Sequence, residues 1–504
     1  MRLVTMAFFA AASVAQGAAL GINIDMPERG GTYINIVDEA WRWAHLKGGQ
    51  PLQAGDFGPG GWPRVDAVYI LDWRPVAEWA GQVDDPEGYR PDTSGTYKGT
   101  FEGTASLRLG GEGRLEGLAQ DANGLTSFSL LLPKGAKGFV VLEFSGLKGF
   151  KNFKLLRPGY ASDAAPFYPP LLAALKGVRF SAIRYMNFTG TNGQDGPQAR
   201  PLRWEEPRWP AGSRWDRVIA LAHASGTDAW INVPLSADAA YVSKLAAYFR
   251  AHLDPKLKLY VESSNEVWNT APGFPQSKVN QADAKRRGLG EHENHARRTL
   301  ELALAFEKAF GSGSLNTRVR VVLCSHQPML EWWVEPMLQY VKSTYGQPSK
   351  YLWGLACQTY FGARKFRSGE PKEILDACRQ DIAAQLDERQ GNRAGRRQWA
   401  AKAKAWGLPG GFLSYEGGPD HGGGDTRHVA GRITAERSPG MGELMRYNLE
   451  EGFARQGGSL AMQFTLTSGY NRYGCWGLSD DIDQPRRNSK YDALSRLADE
   501  WSKR

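Results

Sequence analysis

The apolar positions of the chain follow two different patterns, which change at about residue 150. Over residues 19–150, short alternating runs such as TYINIV, DAVYILDW and GFVVLEFSGL are separated by Gly, Pro and Asp. Alternation over a few residues, with turn signals between the runs, is typical of strands that have one buried face. This pattern predicts a β-rich accessory domain over residues 19–150 with a β-sandwich-like fold.

After residue 151, apolar runs alternate with amphipathic helical stretches. We count eight such runs, FKLLRPG, FSAIRYMNF, DAWINVPL, LKLYVESSNE, RVRVVLCSH, YLWGLACQTYF, FLSYEGG and SLAMQFTLTSG. Nearly continuous apolar strands that are separated by helices indicate a parallel sheet with both faces covered. Eight β/α units predict an α/β fold of the (β/α)8 or TIM-barrel type over residues 151–504. An open doubly wound sheet is the alternative, but no G-x-G-x-x-G sequence follows the first run.

The N-terminus has the three regions of a secretory signal peptide. Arg2 supplies positive charge, residues 3–14 form an apolar stretch too short to span a bilayer, and small residues follow near Gly17. We therefore expect residues 1–18 to be a signal peptide and the protein to be secreted or periplasmic. No other segment reaches 18 apolar residues, so we expect no membrane span.

Charge and composition narrow the choice of partners. The 504 residues contain 62 Lys and Arg against 53 Asp and Glu, which gives a net charge of +9. This excess is spread along the chain, which argues against a nucleic-acid partner but is compatible with an anionic polymer. The 17 Trp residues offer flat apolar faces that suit sugar rings. Candidate platforms are Trp204, Trp209, Trp268, Trp332 and Trp333.

Cysteines and histidines give no framework or metal motif. Four Cys without a CxxC sequence are too few for a disulfide scaffold, although one or two bridges remain open in an oxidising compartment. His292 and His295 form an HxxH pair, but no further ligand lies at metal spacing. We therefore predict neither a metal nor a cofactor.

Polar residues at the carboxyl ends of parallel barrel strands face the active site. The residues that lie at or just after the ends of the second to eighth runs are Arg184, Asn232, Asn265, Glu266, His326, Tyr360, Glu416 and Trp476. Two carboxylates on different sides of a barrel mouth suit glycoside hydrolysis, in which one protonates the leaving oxygen and the other attacks or directs water. The pair Gly417–Gly418 after Glu416 would let a substrate approach closely.

Two runs carry a family resemblance. Tyr260–Asn269, with the sequence YVESSNEVWN, is similar to the fourth-strand Asn-Glu motif of the clan A retaining glycoside hydrolases, and Phe412–Gly418 is similar to their seventh-strand nucleophile motif. The similarity extends over about residues 151–504. YVESSNEVWN and residues 184–192 also resemble an uncharacterised group of secreted bacterial proteins with an Asn-Glu-Val-Trp-Asn motif. The clan resemblance implies a TIM barrel that cleaves a polysaccharide or oligosaccharide with retention.

The resemblance also implies a role for individual residues. Glu266 would be the general acid/base and Glu416 the nucleophile. Asn265 would hydrogen-bond the sugar 2-hydroxyl, whereas Arg184 and Tyr360 would support Glu416. A cation and a phenol donor beside Glu416 are expected to lower the pKa of its carboxyl group.

The remaining candidates concern substrate binding, and two other functions stay open. The resemblance makes Trp476 a platform under the scissile sugar, and Asn232 and His326 are assigned to substrate binding by position. One alternative is a barrel that binds carbohydrate without catalysis. The other is a polysaccharide lyase, with Tyr360 or His326 as base and Arg184 neutralising a uronic acid. A serine hydrolase is disfavoured because no G-x-S-x-G sequence occurs.

Overall fold

The structure is a computed structural model, and it describes residues 17–27, 31–38, 43–58, 60–72, 85, 87–89, 91–135, 140–161, 163–195, 215–363, 369–386, 395–420, 422 and 427–503. The predicted signal peptide lies outside these residues up to position 16, as do the candidate platforms Trp204 and Trp209.

Eight parallel strands close into a barrel, which confirms the predicted (β/α)8 fold. The strands of the described residues are β1 (Ala19–Asn23), β2 (Trp43–His45), β3 (Ala67–Asp72), β4 (Gly95–Gly111), β5 (Arg114–Gln120), β6 (Leu125–Leu132), β7 (Val140–Leu156), β8 (Ala182–Arg184), β9 (Asp228–Val233), β10 (Leu259–Ser263), β11 (Val319–Cys324), β12 (Gly354–Phe361), β13 (Gly411–Pro419) and β14 (Gly458–Gln463). The barrel consists of β1 followed by β8 to β14 in chain order, and β14 pairs with β1.

Helices cover the outside of the barrel. Those of the described residues are α1 (Pro169–Val178), α2 (Thr191–Gln194), α3 (Trp215–Ser225), α4 (Ala239–His252), α5 (Pro275–Arg287), α6 (Glu291–Phe310), α7 (Glu335–Thr344), α8 (Pro371–Leu386), α9 (Arg396–Ala405), α10 (Val429–Arg437), α11 (Pro439–Glu450) and α12 (Ser489–Trp501). In α4 the buried residues Val242, Leu245 and Phe249 recur at helical spacing, which gives the helix one apolar face for packing against the barrel. None of the described helices combines the length and the apolar character that crossing a bilayer requires.

The first barrel strand is β1, which corrects the predicted domain boundary. Leu20 pairs with Ala461 of β14, and Ile22 pairs with Ile183 of β8. The run FKLLRPG, expected to be the first barrel strand, instead contains the end of β7, which belongs to another sheet. A five-residue strand beside an apolar leader has no periodicity that would assign it to a sheet. The β-rich region is therefore an insertion between β1 and α1.

The inserted region contains one antiparallel sheet in the order β2-β3-β7-β4-β6-β5. The pairing of β4 with β7 shifts register between Thr100 and Ser106. Gly103 has φ +88° there, and a Cβ atom on it would lie 2.4 Å from the carbonyl oxygen of Gly149. Phe101 nevertheless reaches Phe144, beyond the shift, with ring centroids 5.7 Å apart. The region predicted to be sandwich-like therefore contains a single six-stranded sheet, and aromatic residues from both sides of the register shift share its core.

Ion pairs attach the insertion to the barrel. Arg437, the last residue of α10, donates to both carboxylate oxygens of Asp85 at 2.6 Å and to Asp480 in the loop after β14. Arg487 in the same loop pairs with Asp480 and with Glu87, the latter at 2.9 Å. We call Asp85, Glu87, Arg437, Asp480 and Arg487 the insert clamp. The insertion is thereby tied to the loop that follows the last barrel strand.

The four cysteines are buried, and the two histidines of the HxxH pair pack near tryptophan rings. All four cysteines are buried and unpaired, so the disulfides left open by the sequence are not formed. The His295 ring packs near Trp268, and the His292 ring near Trp333. Within the described ranges, no group of three or more His, Cys, Asp or Glu side chains is arranged to hold a metal ion.

Candidate active site

Five of the candidate side chains meet at the carboxyl end of the barrel. Arg184 ends β8, Asn265 and Glu266 follow β10, Tyr360 lies near the end of β12, and Glu416 lies in β13. Because parallel strands end at the same edge, residues far apart in the sequence are brought together there. Hydrogen bonds join four of them, and Glu266 is bonded to the residue that precedes Glu416.

Arg184 is the centre of a buried hydrogen-bond network. Its side chain is 0% exposed, and all five N–H donors of the guanidinium are used. Nε and Nη2 donate to Glu262 at 2.9 and 3.0 Å, Nη1 donates to Glu416 at 2.7 Å and to Asn23 at 3.1 Å, and Nη2 also donates to Asn265 at 2.8 Å. Although burial opposes the charge, Glu262 and Glu416 raise the pKa of Arg184 above its usual range.

Glu416 is held from two sides. It is 6% exposed, and it accepts hydrogen bonds from Arg184 on Oε1 and from the Tyr360 hydroxyl on Oε2, the latter at 2.9 Å. Burial nevertheless raises the pKa of Glu416 to about 7, against the opposing effect of Arg184, and the charge of Glu266 adds to the rise. The expectation of a lowered pKa is therefore wrong, because the depth of burial cannot be read from the sequence.

Glu266 has a more open setting and a strained backbone. It is half-buried, and its carboxylate accepts from the Tyr415 hydroxyl at 3.0 Å and from Asn269 Nδ2 at 2.8 Å. Its φ of +42° and that of Ser264, +55°, lie in the left-handed region, which persists in non-glycine residues only where the surroundings hold it. Asn232 donates to the Ser264 carbonyl oxygen at 2.7 Å. Asn232, expected to bind substrate, is fully buried and supports this turn instead.

Asn265 connects the carboxylates to the loop after β8. Its Oδ1 accepts from Arg184, and its Nδ2 donates to Asn192 Oδ1 at 3.1 Å. Gln276 donates to the same oxygen of Asn192 at 2.9 Å. No second acceptor for Asn265 Nδ2 occurs among the described residues, which leaves one N–H for a ligand.

Aromatic rings extend from Glu416 towards the loop after β14. The Tyr360 ring is 6.4 Å from that of Phe464, and the Phe464 ring is 6.1 Å from that of Trp476. Trp476 is half-buried, and its Nε1 donates to Asp420 at 3.4 Å. Trp476 is therefore connected to Glu416 through the rings of Phe464 and Tyr360, and its role as a sugar platform stays a prediction.

The other aromatic and histidine candidates are more dispersed. His326 is half-buried just after the end of β11, at the same end of the barrel. Trp268 and Trp333 are both buried, and the Trp268 ring packs 6.0 Å from that of Tyr415 behind Glu266. Trp332 is 58% exposed, so it is the most accessible of the three described Trp candidates.

Three residues of the network were missed at the sequence level. Glu262 is the single charged residue inside the apolar run of β10, which was an available signal. Asn23 ends β1, a strand that the pattern did not reveal, and its Nδ2 donates to the backbone oxygens of Tyr415 and Gln463 at 3.0 and 3.1 Å. Tyr415 precedes Glu416 and reaches Glu266 on the other side of the site.

The carboxyl groups of Glu266 and Glu416 lie in different environments. Glu416 is buried against a cation and a phenol, whereas Glu266 is more accessible and is held by a phenol and an amide. Titratable groups in contrasting environments can divide acid/base and nucleophilic roles. Burial raises the pKa values of Tyr360 and Tyr415 well above their usual range, so both phenols remain hydrogen-bond donors.

Solved structures that resemble this chain include glycoside hydrolases. The GH5-4 broad specificity endoglucanase from Ruminococcus flavefaciens is 11% identical, with 66% of this chain and 88% of that chain covered and a TM-score of 0.33. Xylanase 10B from Thermotoga maritima is 8% identical, with 64% and 88% covered and a TM-score of 0.34. The GH10 protein from Paenibacillus barcinonensis is 12% identical, with 66% and 92% covered and a TM-score of 0.37.

No protein-family model matches the chain, and no curated protein matches it either. At these identities and TM-scores the structural likeness carries no functional conclusion, so the function has to be argued from the chemistry of the site.

Proposed function

We propose that the protein is a glycoside hydrolase that acts on a polysaccharide or oligosaccharide by a retaining double displacement. The observation that carries this proposal is the pair Glu266 and Glu416, two carboxyl groups at the mouth of a (β/α)8 barrel in contrasting environments. Glycosidic bond cleavage needs one group that donates a proton and one that attacks or directs water. The accessible Glu266 suits the first role, and Glu416, held by Arg184 and Tyr360, suits the second.

The proposed reaction has two steps. Glu266 donates its proton to the leaving oxygen while a Glu416 oxygen forms a bond to the anomeric carbon, which releases the alcohol and leaves a glycosyl ester. Glu266, now a carboxylate, then removes a proton from water, the water oxygen attacks the anomeric carbon, and Glu416 is released. Arg184 and Tyr360 donate hydrogen bonds to the charge that returns to Glu416.

Substrate contacts follow from the same geometry. Asn265 has an N–H that can donate to the sugar 2-hydroxyl, and Trp476 offers a ring beside the aromatic pair Tyr360–Phe464. The net charge of +9 is compatible with an anionic glycan as well as a neutral one. The lyase alternative is disfavoured because Arg184 is buried with all its donors occupied, so it offers no free N–H to a uronic acid.

The test compares reducing-sugar release from neutral and anionic polysaccharides by the wild-type protein, Glu266→Gln and Glu416→Gln. We expect Glu266→Gln to reduce the rate by about 10²–10⁴-fold and Glu416→Gln by at least as much. Glu335→Gln is the matched control, because Glu335 is a half-buried glutamate on α7 paired with Lys402 at 3.0 Å. The anomer released first, read by NMR, distinguishes retention from inversion.

An inverted first anomer would contradict the retaining mechanism, and three further outcomes would contradict the proposal. Activity that survives both substitutions would exclude the two-carboxylate mechanism. Unsaturated products would favour the lyase. Binding of a glycan without any cleavage would favour a carbohydrate-binding barrel.

Export is proposed separately, on the sequence of the leader. We propose that residues 1–18 are removed on secretion, since the positive, apolar and small-residue regions occur in order. Mass spectrometry of the N-terminus of the exported protein tests this, and an intact Met1 in that material would contradict it.

A further inference from the structure

A third carboxylate, Glu262, lies in the same network and has no part in the two-step reaction. It is 2% exposed on β10. Its two oxygens accept from Nε and Nη2 of Arg184 at 2.9 and 3.0 Å, and one of them also accepts from Trp230 Nε1 at 2.8 Å. This fork geometry is the strongest that a carboxylate and a guanidinium form. It fixes the plane of the guanidinium and therefore the direction in which Nη1 points towards Glu416.

The charges around Arg184 do not balance. One guanidinium cation faces the two carboxyl groups of Glu262 and Glu416, and the neighbouring Glu266 raises the pKa of Glu416 further. Among the described residues, the further titratable groups that interact with this cluster are Cys324, Tyr360 and Tyr415. Burial raises their pKa values well above their usual ranges, so they carry no charge at neutral pH. Since charges interact strongly inside a protein, a cation already paired with Glu262 stabilises a charge on Glu416 less than an unshared cation would.

We infer that Glu262 is a positioning residue that orients Arg184 and divides its charge with Glu416, and so sets the pH above which Glu416 can act as the nucleophile. This inference rests on the proposed function for its consequence in catalysis. The sharing of charge itself is a property of the buried network and can be measured without substrate.

Removing the charge of Glu262 should leave the positive charge of Arg184 unshared, so that Arg184 lowers the pKa of Glu416 more strongly. In Glu262→Gln we expect the titration midpoint of Glu416 to fall by about one pH unit or more, because an unshared opposite charge lowers a carboxyl pKa by about 1–3 units. The acid limb of the activity profile should fall with it. Well below both midpoints, a shift of one unit leaves about tenfold more activity relative to the variant's own plateau.

The experiment follows the Glu416 carboxyl group directly, by NMR titration of protein labelled with ¹³C at the glutamate carboxyl carbons. Glu416→Gln identifies the resonance by its disappearance. Glu262→Gln is compared with Glu262→Asp, which keeps the charge but shortens its reach and should give a smaller shift in the same direction. Asp228→Asn is the matched control. Asp228 begins β9, at the end of the barrel opposite to the candidate site, and pairs with Arg320 at 3.8 Å. The Glu416 midpoint should therefore stay unchanged in this variant.

An unchanged Glu416 midpoint in folded Glu262→Gln, or a shift equal to that of Asp228→Asn, would overturn the inference even if activity were lost. If Glu262→Gln does not fold, Glu262→Asp decides the matter by the presence or absence of the smaller shift. A shifted midpoint in a protein that cleaves no glycan would contradict the proposed function and leave the charge sharing in place. Glycoside hydrolysis by a protein whose Glu416 midpoint does not change in Glu262→Gln would support the proposed function and contradict the charge sharing.

Discussion

Glu266 and Glu416 have the same side chain, and the difference between them comes from what surrounds each carboxyl group. Glu416 has lost nearly all contact with water, which disfavours its charge, and Arg184 together with Tyr360 compensates only in part. Glu266 keeps partial access to solvent and accepts from two uncharged donors. Glu416, the proposed nucleophile, is therefore the group whose charge state is more sensitive to the buried network.

The pH dependence of activity should reflect this. In the proposed reaction Glu416 must be ionised to attack the anomeric carbon, and its pKa is raised to about 7. We expect the rate of glycosyl transfer to fall about tenfold for each pH unit below about 7. Initial rates across pH 4–9, measured at substrate concentrations well below KM, would test this. A flat profile down to about pH 5 would show that Arg184 outweighs burial.

The contribution of Glu416 to the free energy of unfolding should fall as the pH rises, whereas the activity should increase. A carboxyl group whose pKa is higher in the folded state favours folding below its ordinary value of 4.5 and loses this contribution as pH rises to about 7. Glu416→Gln removes the buried charge, so it should be more stable than wild type above pH 7, by on the order of 3 kcal/mol at most. The difference should vanish near pH 4. Denaturant unfolding at both pH values would measure it, and equal stability at pH 8 would contradict it.

At the scale of residues, the sequence predicted side-chain identity better than side-chain environment. Arg184, Tyr360 and Glu416 could be found because residues at the ends of parallel strands converge whatever their separation along the chain. The direction of the shift in the Glu416 pKa could not be predicted, since it depends on how completely neighbouring side chains exclude water. The ion pair between Arg184 and Glu262 could not be predicted either, because the sequence shows a charged residue inside an apolar run but not the side chain with which it pairs.

At the scale of elements, the decisive feature is β1. The pattern after residue 151 supplied seven of the eight barrel strands, and the eighth lies at residues 19–23, about 160 residues before β8. Five residues are too few to show a periodicity, so the missing strand was assigned to the wrong end of the insertion. Asn23 also ties β1 to Arg184, Tyr415 and Gln463, so the strand is part of the site as well as of the barrel.

A chain that begins at residue 151 should therefore fail to form the barrel. It lacks β1, which would leave the edges of β8 and β14 unpaired, and unpaired parallel edges promote aggregation. We expect this variant to be insoluble, whereas a variant that begins at residue 17 should fold and show a cooperative melt. Circular dichroism and gel filtration would compare the two. A soluble, cooperatively folded protein from residue 151 would contradict the assignment of β1.

At the scale of the whole molecule, the insertion is placed where it can influence the site. It leaves the barrel at the carboxyl end of β1, the same end at which Glu416 and Glu266 lie. The insert clamp then joins it to α10 and to the loop that carries Trp476. In Asp85 and Asp480 the side chains are 3% and 4% exposed, so the pairs that Arg437 makes with them are shielded from solvent, whereas Glu87 is 54% exposed.

Breaking the clamp should affect the insertion and substrate binding together. Arg437→Ala leaves Asp85 without the cation that binds both its oxygens, and removing one partner of a buried ion pair costs about 3–5 kcal/mol. We expect a lower melting temperature, faster hydrogen exchange in β3, β4 and β7, and a raised KM, because the loop bearing Trp476 loses its anchor. Arg446→Ala is the matched control, since Arg446 makes a two-pronged pair with Glu500 at 2.8 and 2.7 Å in a more exposed position between α11 and α12. Arg437→Ala that behaves like Arg446→Ala in exchange and KM would mean that the insertion holds its place without the clamp.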